Sequence, residues 1–193
     1  CHGYYRRWRN LDNSIMAITI NGSGTLSGVT AGLTASSLPA GSVLQVLQDV
    51  KSDTFSTTSD TPVDVTGWSQ AITMTAASNK VLVQVSCGMV SMESAGNAPE
   101  IFLVRGSTLI ALGDANGNRT RVSASVGDAH TYGVSGATIT FLDTPGAGTH
   151  TYKVQMATQG GTGTAVLNKR GDDDNSASYQ VSTSTLTLTE IAA

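Results

Sequence analysis

The sequence is short of charge, aromatic rings, strong helix formers and cysteine. Charged side chains are 13% of its 193 residues, where a soluble domain ordinarily carries roughly 25%. A net charge of −3, with no clustered basic field, excludes the usual electrostatics of nucleic-acid binding, and there is no acidic tail. No apolar run approaches the ~18 residues of a membrane span. The longest runs, "IFLV" and "LIAL", are strand-sized. The two cysteines, Cys1 and Cys87, lie far apart. Cys87 alternates with valines, so a buried free thiol is expected in preference to a disulfide.

Catalytic signatures are missing as well. The only histidines are His2, His130 and His150. His150 shares an apolar strand face with Tyr152 and Val154, the setting of a packed or inter-subunit imidazole rather than a general base. There is no G-x-S-x-G elbow, P-loop, H-E-x-x-H or Cys-x-x-Cys. The expectation is a protein without enzymatic activity or cofactor. A polysaccharide hydrolase using paired carboxylates is the outsider.

Thr and Ser are abundant, about a quarter of the chain, and glycines number 21. Thr and Val suit pleated surfaces, while Ser, Gly and Asn suit turns. From residue 41 strand signals recur between turn clusters. "KVLVQVSCGMV" places Val81, Val83, Val85, Cys87 and Met89 on one face. "GATITFLD" does so for Ala137, Ile139 and Phe141, "HTYKVQM" for Tyr152, Val154 and Met156, and "STLTLTEI" for Leu186 and Leu188. "GSVLQVLQDV", residues 41 to 50, also fits a helix template through Val43, Val46, Leu47 and Val50. The turn-rich "KSDTFSTTSDTPVDVTG" follows at once, so a strand apolar on both faces is the economical reading. Val43, Leu44, Val46 and Leu47 are then candidates for an interface with a second subunit.

Three segments are expected. Residues 1–15 form an atypical basic and aromatic arm. Either the natural start is Met16, or the arm docks on a neighbouring protein through Arg and aromatic anchors. Residues 16–40 are a Gly/Ser/Thr-rich attachment or stem segment whose Leu26, Val29, Leu33 and Leu38 need a partner to pack on. Residues 41–193 are the head domain.

The blocks "MAITINGSGTLSG", "LPAGSVLQVLQ", "SDTFSTTSDTPVDVTG", "IFLVRGSTLIALGDANGNRT", "ATITFLDTPGAGTHTYKVQM" and "STLTLTEIAA" resemble, in that order, a family of small virion structural proteins of tailed bacteriophages of marine and cyanobacterial hosts. The resemblance implies an all-β, antiparallel jelly-roll head of the tumour-necrosis-factor-like kind, trimeric, on a short extended N-terminal attachment segment. It implies a place on the virion surface, in tail or capsid, with contacts to other virion proteins through that segment. It supplies no catalytic residues. A tail-fibre or host-attachment role is the first expectation, and a capsid decoration protein or head fibre the alternative.

The polar loops carry the remaining candidates. Asp114, Asn116, Asn118, Arg119 and Arg121 in one loop, with Arg170 and Asn175 in another, suit hydrogen bonding to bacterial surface carbohydrate. Asp172, Asp173 and Asp174 are adjacent carboxylates, to be solvated or to hold a hard cation such as Ca²⁺. "RGD" at Arg170 to Asp172 matches an adhesion tripeptide, a weak signal. "DANGN" lacks the sixth-position Gly and acidic twelfth ligand of an EF-hand. Tyr132, Tyr152, Tyr179 and Trp68 could stack on a sugar, with core or interface packing the blander reading of Trp68.

Overall fold

The computed structural model describes residues 19–20, 26–27, 38–93, 97–127 and 133–193. The chain divides into two units, Cys1–Ser37 and Leu38–Ala193. The 1–15 arm, most of the 16–40 segment, Cys1, His2, His130 and Tyr132 lie outside the described residues. In the first unit, β1 (Thr19–Ile20) pairs antiparallel with β2 (Leu26–Ser27), Ile20 opposite Leu26.

In the second unit the described residues are all β. The strands are β3 (Val43–Lys51), β4 (Phe55–Thr57), β5 (Val63–Thr73), β6 (Lys80–Met92), β7 (Pro99–Arg105), β8 (Thr108–Ile110), β9 (Ala124–Ser125), β10 (Ser135–Asp143), β11 (Thr149–Thr158), β12 (Ala165–Leu167) and β13 (Ser184–Ile191). They build two antiparallel sheets. One runs β3-β13-β6-β12-β4, with β10 also on β6; the other runs β5-β11-β7-β8, with β9 also on β7. The long strands alternate between the sheets along the chain, and one core is shared by both.

The alternation read from sequence produces that core. Val81, Val83, Val85, Ile139, Leu186 and Leu188 come from the first sheet, and Trp68, Ile72, Ile101, Tyr152, Val154 and Met156 from the second. Each such side chain contributes roughly 1.5–3 kcal/mol when buried. Trp68 is in this interior at 1% exposure, so it is no stacking surface for a sugar. Its indole Nε1 has no hydrogen-bond partner. Tyr152 is equally enclosed: its hydroxyl donates to Asp143 Oδ2 at 2.7 Å, and Arg105 Nη1 binds the same carboxylate at 2.6 Å.

The alternation of β6 fails at one point. Cys87 faces the core, but Met89 is only half-buried, and Val90 and Met92 take the inward positions. A bulge opposite Ser135 and Ala137 shifts the register by one, and every later side chain changes face. Beside the bulge, Gly88 allows the close approach of Ser182 and Thr183, because a Cβ there would collide with Thr183 O.

The stretch 43–51 is a strand, and its two faces differ. Outward are Val46 and Val50, at 56% and 50% exposure, with Val43 at 58% near the strand's start. Inward, Leu47 packs on the core, while its polar neighbours on that face bind the backbone of β5. Gln45 Nε2 donates to Thr73 O at 2.8 Å, Ser69 N to Asp49 Oδ2 at 2.9 Å, and Lys51 Nζ to Thr66 O at 2.7 Å. β3 and β5 are edge strands of opposite sheets. These side chains occupy backbone groups that would otherwise template another strand. The expected second apolar face is therefore mainly polar, with Leu47 its one large apolar member.

Candidate functional site

Three surfaces are built on this frame. The first is the outer face of β3-β13-β6-β10. The registers align Val46, Thr189, Leu82 and Leu142 in one row across the four strands. Gln48, Thr187, Gln84 and Thr140 form the next row, and Val50, Thr185, Ser86 and Thr138 the third. None of these side chains is charged. Of the four interface candidates, Val43 and Val46 are exposed, Leu44 is half-buried, and Leu47 points the other way into the core. Leu142, 48% exposed, and Val50 join this face, which sequence reasoning had not assembled.

The second surface is the acidic loop after β12. Its carboxylates act separately. Asp172 takes a two-pronged bond from Arg170, Nε to Oδ1 and Nη2 to Oδ2, both at 2.9 Å. Asp173 Oδ1 accepts from Asn175 N at 2.8 Å, and Asp174 Oδ1 from Ser176 N at 3.0 Å, each closing a local turn. Among the described residues no group of three or more His, Cys, Asp or Glu is placed to hold a metal ion. The Arg-Gly-Asp tripeptide is folded on itself: Arg170 also lies 5.0 Å over the Tyr179 ring. A Cβ on Gly171 would meet Met92 O at 2.1 Å, so only glycine fits there.

The third surface is a cleft of about 370 Å³ where the 111–123 loop meets the start of β7, β9 and the turn Gln159–Gly161. Its walls include Glu100, Asn118, Arg119, Thr120, Ser125 and Gln159. The loop is tied at its base. Arg121 Nε donates to Gly113 O at 2.5 Å, Ser123 N to Ile101 O at 3.0 Å, and Leu103 N to Ser123 Oγ at 2.9 Å. Arg119 Nη1 donates to Asn116 Oδ1 at 2.9 Å, which fixes the guanidinium against the loop. Gln159 N donates to Ala98 O at 3.0 Å, and Ser125 Oγ to Pro99 O at 3.0 Å. Asp114, Asn116, Asn118, Arg119 and Arg121 are all exposed, and of these Asn118 and Arg119 line the cleft.

Glu100 was not among the residues that sequence reasoning singled out. It is only 8% exposed. No hydrogen bond or ion pair engages its carboxyl, and burial pushes its pKa above the ordinary value. One acid inside the apolar "PEIFLVR" of β7 was the available signal. A second cleft, of about 320 Å³, has Asp64, Trp68 and Lys153 in its walls. Its Asp64 is already held by Lys153 at 2.7 Å and Gln155 at 2.6 Å. His150 Nε2 lies 3.2–3.3 Å from the carbonyls of Ala147 and Gly146, inside its own turn.

No helix among the described residues is long and apolar enough to cross a membrane. No family model matches this chain, and no curated protein does.

Proposed function

We propose that the chain is a non-enzymatic structural protein of a tailed-bacteriophage virion. It works as a homotrimer with jelly-roll heads on the virion surface, in the manner of a tail fibre or host-attachment protein. Its N-terminal segment binds other virion proteins, and its polar loops address bacterial surface carbohydrate. The observation that carries the reading is the outer face of β3-β13-β6-β10, where three successive rows carry no charge and the exposed Lys80 stands only at the end, with Val46, Val50 and Leu142 about half exposed. A three-fold axis brings the same side chains of three copies together where they lie near it, and rows without charge meet no like-charge repulsion there. Interface cores are likewise depleted of charge. Trimerisation also makes weak single-site binding effective, since later contacts become intramolecular. The crossing of the long strands between two antiparallel sheets supports the jelly-roll assignment.

Sedimentation equilibrium at micromolar concentration tests the assembly. A trimer is expected, and the pair Val46→Lys with Leu142→Lys should give a folded monomer. A monomeric wild-type chain would overturn the reading. Immunogold labelling of virions tests the place: label at the tail supports attachment, and label spread over the shell replaces it with capsid decoration.

A further inference from the structure

We propose that the cleft around Glu100 is a binding site for a neutral saccharide, with the Glu100 carboxylate as the acceptor at its floor. The inference deepens the attachment reading and rests on it only for the source of the sugar. The cleft itself is described within one chain.

Glu100 is more than nine-tenths buried and lines the cleft without a donor or cation on its carboxyl. Its oxygens are not among the fully enclosed atoms without a partner, so they open into the cleft, where a ligand hydroxyl can replace solvent as the donor. The cleft volume, about 370 Å³, falls in the range of small-ligand sites, roughly 300–1,000 Å³.

The wall chemistry selects the class of ligand. An anion such as phosphate would face Glu100. A simple cation or amine would face Arg119, held in the same wall. A metal ion lacks a second acid, since Glu100 is the one carboxylate among the described residues of these walls. A neutral polyol meets neither objection. Each hydroxyl donates once and can accept twice, and a carboxylate only accepts. Glu100 can take two hydroxyl protons in charge-assisted bonds, roughly twice as strong as neutral ones. The amides of Asn118 and Gln159 and the hydroxyl of Thr120 can donate to or accept from the remaining ring oxygens. Ser125 Oγ already spends its proton on Pro99 O and offers lone pairs.

The test uses the full chain and a panel of free neutral hexoses, N-acetylhexosamines and their disaccharides, with glycine, lysine and inorganic phosphate as comparators. Binding is read by backbone amide shifts and by titration. At least one neutral sugar should bind, with shifts at residues 98–100, 118–125 and 159. Glu100→Gln should weaken it at least tenfold without lowering the melting temperature, and Gln159→Ala should weaken it several-fold. Gln159→Ala alone decides should Glu100→Gln fail to fold. Silence from every sugar overturns the proposal, as does preference for glycine, lysine or phosphate, or binding indifferent to these substitutions. A trimer that binds no sugar would sink this inference and leave the assembly standing; a monomer that binds one would do the reverse.

Discussion

Glu190 and Glu100 both project from strands of the head and are both largely buried, at 0% and 8% exposure, but only Glu100 opens into a cleft. Glu190 collects donors. Asn79 Nδ2 at 2.7 Å and the amide and hydroxyl of Thr75, each at 2.8 Å, bind Oε1, and Gln45 Nε2 at 2.5 Å binds Oε2. Burial alone would raise its pKa, but these bonds outweigh it and hold the carboxyl below its ordinary value. Glu100 has the burial without the donors, so its pKa is raised. The first glutamate ties β13 to β3 and to the turn between β5 and β6. The second ties nothing among the described residues. The difference separates an acid whose partners are supplied by the fold from one whose partners must arrive.

The largest expected effect tests that separation directly. Glu190→Ala strands the donors of Asn79, Gln45 and Thr75 and should cost about 3 kcal/mol or more in chemical denaturation, given ~1–3 kcal/mol for each buried donor left unmet. Glu100→Gln removes a largely buried charge that no group of the chain compensates. It should change stability by less than about 1 kcal/mol, in the stabilising direction. Equal losses in the two variants would break the comparison.

The pH dependence should sharpen it, because the two shifts have opposite signs. The stabilisation from Glu190, held below its ordinary 4.5, is complete above that pH and is lost as pH falls through the lower folded value. For Glu100, held above 4.5, the favourable state is protonated. Its contribution is complete below pH 4.5 and is lost as pH rises through the raised folded value. Denaturation curves across this range should show Glu100→Gln flattening the loss above pH 4.5, and Glu190→Gln flattening the loss below it. A Glu100→Gln profile parallel to wild type above pH 4.5 would mean that the carboxyl is solvated.

Part of this contrast was legible in sequence. The period of two that sends Leu186 and Leu188 inward also sends Glu190 inward, so its burial follows from alternation. Its donors do not: Gln45, Thr75 and Asn79 come from β3 and from the turn after β5, and only the register brings them together. The same holds for the cleft, where residues near 100, 118–125 and 159 meet through strand pairing. The uncharged rows of the outer face could be anticipated only in pieces, because Val46, Thr189, Leu82 and Leu142 become neighbours through three separate pairings. Leu47 shows the limit from the other side. Its apolar character was read correctly, but a both-face assignment could not say which of its neighbours would turn polar side chains inward to bind β5.

The smallest effect concerns Cys87, which isolates burial from hydrogen bonding. It sits at 3% exposure on the inner face of β6, and burial alone pushes its thiol up to about 12. Burial is also the only cause acting on Glu100, so the two groups feel the same force. The outcomes differ because a thiol is neutral at pH 7 without any shift, whereas a carboxyl that starts from 4.5 can retain its charge. Cys87 therefore needs no partner, and the thiolate that alkylating agents require is suppressed. In the folded chain at pH 8, iodoacetamide should modify Cys87, followed by peptide mass mapping, only at the rate of global opening. The rate should rise steeply in denaturant and in Glu190→Ala, and should not rise in Glu100→Gln. Fast labelling in the native protein would show that this end of β6 opens locally, and the core that sets both glutamates apart would then be looser than its packing implies.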